Sequence, residues 1–168
     1  GGLLALTRSM AIEFAKDNDS DFAIVAPTSY GKSEMIISRV LREANNKVCI
    51  LVPTKALLAQ TKKRLFENSE LAKLVRRIIT HPEMYRGKEE SFVAVLTQER
   101  LLRLMQKNPE FKLDFVFIDE AHNLLREDSR AILLAQVLLM LKKRNKNVVF
   151  NFYTPFVADK TSLVIPYA

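Results

Sequence analysis

One eight-residue segment near the start of the chain constrains the fold more than any other feature. The segment follows the apolar run at residues 22–25 and opens a helix-patterned stretch; its residues are Ala26-Pro27-Thr28-Ser29-Tyr30-Gly31-Lys32-Ser33. This is the spacing of a phosphate-binding loop, in which backbone N–H groups surround phosphates, the lysine reaches the outer ones and the last hydroxyl ligates Mg²⁺. Ala26 stands where the general pattern has its first glycine. A strand before the loop and a helix after it are what this geometry requires, because the helix N-terminus adds positive charge to the anion site.

The remaining apolar runs predict strands that alternate with helices. Short runs at residues 48–52, 92–96 and 115–118 are apolar throughout, which is typical of strands buried on both faces of a parallel sheet, and residues 148–153, apolar except for Asn151, predict a final strand. Helical spacing predicts helices at residues 3–16, from the loop to 44, at 55–67 and 98–107, and after Asp128; Thr54, Thr97 and Asp128 are the expected N-caps. Residues 68–91 give a weaker pattern, with a short helix at 71–74 and a strand at 75–80. We therefore predict a single α/β domain over residues 1–168, with a doubly wound, mostly parallel sheet.

Composition limits the class of partner. The chain has 168 residues, is 48% hydrophobic and carries a formal net charge of +7, which favours a polyanionic partner such as nucleic acid over general solubility alone. No apolar run is long enough to cross a bilayer and no signal-peptide pattern is present, so we expect a cytoplasmic protein. Cys49 lies in an apolar run and is expected to be buried, whereas His81 is expected in a surface loop. The basic run 142–144 is expected to be a solvated helix end rather than a binding patch.

Two carboxylates follow the apolar run at residues 115–118. Asp119 and Glu120 should lie at the carboxyl edge of the sheet, together with the phosphate loop. In a nucleoside-triphosphate site, one carboxylate holds Mg²⁺ and a neighbour orients or deprotonates the attacking water. Asp119 fits the first role, beside Ser33, and Glu120 fits the second. The alternative is that the pair only caps the helix that begins at Ala121.

These motifs, taken in order, resemble a known family. The sequences at residues 26–33, 52–55, 97–100, 119–122 and 153–156 resemble motifs I, Ia, Ib, II and III of the superfamily 2 DExH-type helicases. The resemblance spans nearly the whole chain and implies the first RecA-like motor domain of such a helicase. Among its subgroups, the motifs look closest to the Ski2-like or restriction- and phage-defence-associated helicases.

The resemblance implies roles for individual residues. Lys32, Asp119 and Glu120 would be catalytic, with ATP and Mg²⁺ as cofactors and Ser33 and Asp119 on the metal. His122 and Thr154 would couple the nucleotide state to the strand-binding surface. The sugar–phosphate backbone of DNA or RNA would be contacted by Pro53, Thr54, Lys55, Thr97, Gln98, Glu99 and Arg100. Two departures stand out: motif III keeps only its threonine, and Arg8 aligns where many relatives have an adenine-reading glutamine.

Motors of this superfamily close their ATP site between two RecA-like domains, and the second domain supplies an arginine finger. We therefore expect a second RecA-like domain, in cis or in trans, and little hydrolysis by this domain alone. One alternative is a nucleic-acid-binding or scaffold module that keeps the fold without productive hydrolysis. Another is a small-molecule NTPase, which the net charge of +7 disfavours.

Overall fold

The computed structural model describes residues 22–26, 29–74 and 77–155, and side chains almost throughout from Gly31 onward. The strands are β1 (Phe22–Ala26), β2 (Lys47–Val52), β3 (Ile78–Ile79), β4 (Phe92–Thr97), β5 (Phe115–Ile118) and β6 (Val149–Pro155). The helices are α1 (Ser29–Arg42), α2 (Lys55–Glu67), α3 (Ser69–Leu74), α4 (Gln98–Lys107) and α5 (Ser129–Arg144), with 3₁₀ turns at Pro82–Met84 and Ala121–Leu125. The predicted helix at residues 3–16 and the Arg8 position lie outside the described residues.

The six described strands form one sheet in the order β1-β6-β5-β2-β4-β3, and every neighbouring pair is parallel. Helices cover both faces, so the predicted doubly wound α/β fold of the RecA-like type is confirmed. The apolar runs form strands because their side chains are buried on both sides: β4 is buried at all six positions.

Two apolar clusters fill the space between the sheet and its helices. One face packs α4 and α5 against alternate residues of the central strands, among them Cys49 and Leu51. The other face packs α1, α2 and α3 against the intervening residues, such as Val48 and Ile50. This alternation is the period-two pattern of a strand between two helical layers.

The strand order decides which loops meet. β1 and β2 follow each other in the chain but are separated in the sheet by β6 and β5. The phosphate loop after β1, the end of β6 and the acidic pair after β5 are therefore neighbours at one carboxyl edge. The ends of β2 and β4 lie further along the same edge, in register from Lys47 opposite Phe92 to Val52 opposite Thr97.

The C-terminus of α5 differs from the expected solvated helix end. Arg144 donates to the carbonyl oxygens of Met105 at 2.8 Å, Asn108 at 2.8 Å and Phe111 at 3.3 Å. Lys142 donates to the carbonyl oxygen of Val148 at 3.3 Å. The expectation was wrong for these two side chains, because they tie α5 to the end of α4 and to the start of β6.

The predicted strand at residues 75–80 is much shorter in the structure. Within it, β3 consists of Ile78–Ile79 at the sheet edge, and residues 75–76 lie outside the described part. His81 is exposed and pairs with Glu83 at 2.7 Å, as expected for a histidine of a surface loop. None of the described helices contains an apolar stretch that could span a bilayer.

Candidate active site and strand-facing groove

The start of α1 positions the lysine of the phosphate loop. α1 begins at Ser29, so that Gly31, Lys32 and Ser33 lie in its first turns, directly after β1. The Lys32 side chain turns inward and only 3% of the residue is exposed. Pro27 and Thr28 lie outside the described residues, and the side chains of Ala26, Ser29 and Tyr30 are not described. What the structure places in the site from this loop is therefore the lysine, at the positive end of a helix.

The acidic pair forms the turn that leaves β5. Asp119 extends the ladder, its N–H donating to the carbonyl oxygen of Leu51 at 2.8 Å. Its carboxylate then accepts the N–H of Glu120 at 2.8 Å. Glu120 has φ 54° and ψ 45°, a left-handed conformation that L residues rarely adopt, and its side chain makes no helix-capping bond. The alternative interpretation required the acidic pair to cap the helix that begins at Ala121, and the Glu120 side chain does not do so.

Lys32 and the two carboxylates converge on one point. The Lys32 Nζ atom lies 3.0 Å from Asp119 Oδ1 and also donates to Glu120 Oε1. Burial by itself lowers the pKa of Lys32, but the hydrogen bonds and charges of Glu120 and Asp119 outweigh burial and leave that pKa above its ordinary value. Burial raises the pKa of Asp119, although the nearby Lys32 ammonium opposes the rise. The cluster is thus a buried cation held between two anions.

His122 extends this cluster toward the end of β6. Its Nε2 atom lies 3.4 Å from Glu120 Oε2. Within the described residues, the buried Nδ1 atom of His122 and the buried hydroxyl of Thr154 have no hydrogen-bond partner. Thr154 lies in β6, beside the β5 strand that leads into the acidic pair. The resemblance assigns these two side chains to coupling. Each has a buried polar atom that makes no hydrogen bond to the described residues, which is unusual for buried polar groups.

Three helices begin at the neighbouring part of the same edge. The Thr54 hydroxyl accepts the N–H of Leu57 at 3.1 Å and starts α2, and the Thr97 hydroxyl accepts the N–H of Arg100 at 3.3 Å and starts α4. Asp128 accepts the N–H of Ala131 at 2.9 Å and starts α5. All three predicted N-caps are confirmed. Their helices point positive dipole ends to one region of the surface.

A groove of about 710 Å³ runs across these helix starts. We call it the basic groove, and it is lined by Pro53, Thr54, Lys55, His81, Thr97, Glu99, Arg100, Arg103 and Arg130. Beside it lies a smaller space of about 260 Å³, the linking cavity, whose lining includes Glu120, His122 and Gln98 and also Pro53, Thr54 and Arg130, which line the basic groove as well. The linking cavity therefore lies between the lysine–carboxylate cluster and the basic groove.

Not every residue expected at this surface faces it freely. Gln98 is buried, and its amide donates to the carbonyl oxygen of Arg130 at 2.8 Å. The Arg100 guanidinium donates to the carbonyl oxygen of Thr80 at 3.0 Å, and Glu99 pairs with Arg130 at 2.9 Å. Thr54 and Lys55 are exposed in the groove.

Sequence reasoning missed three basic residues of the groove, namely His81, Arg103 and Arg130. Arg103 could have been found, because it follows Arg100 by three residues on a predicted helix and so shares its face. Nothing in the local sequence indicates that Arg130, thirty-one positions beyond Glu99, reaches motif Ib.

The fold and the site together define a RecA-like α/β domain in which a phosphate-loop lysine opposes a carboxylate pair. The sequence model of the DEAD/DEAH box helicases matches residues 7–152, and the chain belongs to this family.

Curated relatives include two reverse gyrases. The one from Methanocaldococcus jannaschii is 28% identical over 137 residues, covering 74% of this chain and 8% of the relative. The one from Pyrobaculum aerophilum is 29% identical over 124 residues, covering 66% of this chain and 10% of the relative. The chain thus spans about a tenth of the length of these relatives, or less.

Solved structures with the same fold have little sequence in common with the chain. The C-terminal domain of a possible DNA helicase from Lactobacillus plantarum has a TM-score of 0.59 at 14% identity, covering 94% of this chain and 91% of that one. An arterivirus nonstructural protein 10 helicase, in complex with DNA, has a TM-score of 0.50 at 14% identity, covering 91% of this chain and 34% of that one. These similarities support the fold alone.

Proposed function

We propose that this chain is the ATP-binding domain of a helicase or translocase that couples ATP hydrolysis to movement along a DNA or RNA strand. The observation that carries the proposal is the convergence of Lys32, Asp119 and Glu120 at one buried point of the sheet edge. Family membership supports the helicase class, and the basic groove beside the cluster supports a strand as the second ligand.

The residues at this point fit ATP and Mg²⁺. An ammonium group at a helix N-terminus suits phosphate oxygens, and a hydroxyl with a carboxylate suits Mg²⁺, which keeps much of its water and shares few protein ligands. Ser33 and Asp119 would hold Mg²⁺ together with the phosphates. Bound ATP would supply the phosphoryl group for transfer to water, with Mg²⁺ neutralising phosphate charge.

The chain's own residues then have distinct tasks. Lys32 would exchange its two carboxylate partners for phosphate oxygens, which frees Asp119 to face the metal and Glu120 to face the attacking water. Glu120 would accept a proton from that water, since it is the more exposed of the two carboxylates, at 22% against 9% for the side chain of Asp119. Thr28 and the following residues of the 26–33 segment would surround the phosphates with backbone N–H groups, while Pro27, which has no N–H, would shape the loop.

Coupling to the strand would run through His122 and Thr154. His122 contacts the same carboxylate that would handle the water, and it also lines the linking cavity. Among the described residues, the Nδ1 atom of His122 and the hydroxyl of Thr154 have no partner, which gives each side chain a hydrogen bond to form when the nucleotide changes state.

In the basic groove, phosphates would meet exposed cations and helix starts. Thr54 and Lys55 offer a helix N-terminus and a charge at motif Ia, and Thr97 offers a second helix start at motif Ib. Gln98, Glu99 and Arg100 would act there mainly by holding motif Ib in place, because their side chains contact α5 and the β3 end of the sheet. Such contacts position a strand without reading its sequence.

The second domain, the helicase subgroup and the cellular location rest on fewer observations. A second RecA-like domain, in cis or in trans, follows from the family resemblance and agrees with the small share of the curated relatives that this chain spans. A Ski2-like or defence-associated subgroup is supported by the residues of the motifs alone, whereas both curated relatives named above are reverse gyrases. A cytoplasmic location remains part of the proposal.

The alternative is a nucleic-acid-binding module with a helicase fold but no productive hydrolysis. The altered motif III favours it, since only Thr154 remains of the usual three residues. The intact convergence of Lys32 with both carboxylates disfavours it, because a module without hydrolysis needs no such cluster.

Two variants of the native protein that carries this chain test the proposal. We expect Lys32→Ala to lose nucleotide affinity, and Glu120→Gln to bind nucleotide while strand-stimulated turnover falls about 10²–10⁴-fold. Lys146→Ala and Glu70→Gln remove the same charges at exposed positions and should leave both quantities unchanged. Normal nucleotide binding by Lys32→Ala, or undiminished turnover in Glu120→Gln, would contradict an ATP-driven motor.

A further inference from the structure

Arg130, the second residue of α5, contacts both strand-facing motifs. Its Nη2 atom donates to the carbonyl oxygen of Pro53 in motif Ia, and its Nη1 atom pairs with Glu99 Oε1 of motif Ib at 2.9 Å. Its backbone carbonyl oxygen accepts the side-chain amide of Gln98 at 2.8 Å. One residue thus joins the loops that follow β2 and β4 to the helix that follows β5.

These contacts begin where the sheet stops fixing the geometry. The β2–β4 register ends at Val52 opposite Thr97, so the residues beyond it have no ladder to set their separation. The two halves of the basic groove lie on those residues. Side-chain contacts across the end of the sheet must therefore fix their spacing, and Arg130 supplies one to each half.

We propose that Arg130 is a positioning residue that holds motifs Ia and Ib at the spacing of a bound single strand. This inference rests on the proposed strand-binding function and deepens it. Arg130 also lines the linking cavity together with Glu120 and His122, so the spacing it sets extends to a space that the ATP-side cluster borders.

The contacts of Arg130 argue against a direct phosphate contact. Its side chain is about half exposed, at 52%, but both terminal nitrogens are engaged, one by a carboxylate and one by a carbonyl oxygen. Arg103 and Lys55 are exposed in the same groove and are better placed to meet phosphates. The task of Arg130 also suits an arginine, because its rigid planar fork directs separate N–H groups at two acceptors that lie apart, whereas the donors of a lysine all sit on one atom of a flexible stem.

Salt dependence separates positioning from phosphate contact. The experiment measures binding of fluorescent single-stranded DNA and RNA oligonucleotides to the native protein at several salt concentrations, for wild type, Arg130→Gln, Arg130→Lys, Glu99→Gln and Arg103→Gln. A lost phosphate contact lowers the slope of log affinity against log salt by about 0.7 for single strands. We expect that reduction for Arg103→Gln alone. We expect Arg130→Gln, Arg130→Lys and Glu99→Gln to lose about tenfold in affinity with the slope unchanged.

Glu99→Gln and the double variant give the sharpest results. Removing a negative charge from a nucleic-acid groove should by itself tighten binding, whereas loss of the partner of Arg130 should weaken it. The Glu99→Gln/Arg130→Gln double variant should bind no worse than Arg130→Gln, because both changes break one contact. Nucleotide affinity and thermal unfolding of each variant are measured alongside, and Glu99→Gln keeps the test decisive if Arg130→Gln does not fold.

Three outcomes would overturn the role of Arg130. A reduced salt slope for Arg130→Gln would make it a phosphate contact, and tighter binding by Glu99→Gln would mean that the pair masks a cation instead of positioning a loop. Strictly additive losses in the double variant would show that the two residues act separately. If the wild-type protein binds neither strand, the strand-binding function itself fails, and the role of Arg130 fails with it.

Discussion

At the scale of single residues, the lysine–carboxylate cluster sets function against stability. Asp119 is buried, and its raised pKa means that its ionised form is less favourable in the folded chain than in the unfolded one. The charge is nevertheless what a metal site requires. The cost is partly offset by Lys32, whose own pKa is raised by the two carboxylates after burial has lowered it.

We expect Asp119→Asn to increase the free energy of unfolding at pH 7, because asparagine removes a charge that burial disfavours, keeps the acceptor for the Glu120 N–H and leaves Glu120 as the partner of Lys32. A carboxyl whose folded pKa is raised stabilises the fold fully only below its unfolded value and loses that contribution as pH rises through the folded value. The advantage of the variant should therefore shrink as pH falls through the folded pKa of Asp119 and vanish below about 3.8. Urea unfolding at a series of pH values measures it.

Asp114→Asn is the matched control, since Asp114 precedes the same strand that Asp119 follows and accepts the N–H of Lys47 at 2.9 Å. It should not increase the free energy of unfolding at pH 7, because Asp114 is only half-buried. Two results would contradict a destabilising effect of the buried Asp119 charge: a lower free energy of unfolding for Asp119→Asn at pH 7, or a higher one that persists below pH 3.8.

The left-handed backbone of Glu120 gives a second prediction. Alanine in this conformation costs about 1 kcal/mol more than glycine, because its Cβ atom crowds the carbonyl oxygen. We therefore expect the free energy of unfolding of Glu120→Gly to be about 1 kcal/mol higher than that of Glu120→Ala, although both variants lose the same carboxylate. At Gln106, exposed within α4, the order should reverse by a similar amount, since glycine weakens a helix. Equal stability of the two Glu120 variants would contradict the backbone strain.

What the sequence could supply differs between these residues. Lys32, Asp119 and Glu120 were predicted from spacing, because phosphate and metal chemistry demands particular residue types within a few positions of a strand end. The contacts of Arg130 and Arg144 were missed because their partners lie far away in sequence and are mostly carbonyl oxygens, which every residue carries. The left-handed φ of Glu120 also has no signal in a residue type that rarely adopts it.

At the scale of elements, the capped helices were more predictable than the strand at the edge of the sheet. Thr54, Thr97 and Asp128 cap as expected because capping is local, a side chain accepting an N–H three residues ahead. The bounds of α2 and α4 agree with the predicted ranges. The edge strand β3 was overestimated, since only Ile78 and Ile79 pair with β4 and no local pattern encodes where that pairing stops.

Arg144 carries the prediction at this scale. Its guanidinium satisfies three carbonyl oxygens around the end of α4, and a lysine in its place could reach at most one or two of them. We expect Arg144→Lys to lower the free energy of unfolding by about 2 kcal/mol, measured by urea denaturation, because buried carbonyl groups lose charged donors. Lys143→Met removes a charge from the exposed neighbouring position and should stay within about 0.5 kcal/mol of wild type. An equally small effect of Arg144→Lys would contradict a stabilising role for these contacts and would favour the solvated helix end that the sequence indicated.

At the scale of the whole molecule, the strand order explains why widely separated motifs form one surface. Placing β6 and β5 between β1 and β2 puts the phosphate loop, Thr154 and the acidic pair side by side, and puts the ends of β2 and β4 next to them. The ATP-side cluster and the basic groove are therefore adjoining parts of one edge, with the linking cavity between them. Alternation of strands and helices predicted the parallel sheet, and the resemblance in motif order, more than any local pattern, predicted which strand ends meet.

If a second RecA-like domain completes the proposed motor, in cis or in trans, this arrangement predicts how activity divides between the chain and the complete motor. All the residues assigned to the chemistry from this chain lie on one side of a site that motors of this family close with a second RecA-like domain, whose arginine contributes about 10³–10⁵ in rate. We expect the 168-residue chain, purified as a monomer, to bind nucleotide and single strands but to hydrolyse ATP at least about 10³-fold more slowly than the native protein. Steady-state phosphate release, with and without a saturating strand, measures both rates, and Glu120→Gln in each background subtracts contaminating ATPase. Strand-stimulated hydrolysis by the monomeric chain at the native rate would show that the described edge is a complete catalytic site and that no second domain is needed for turnover.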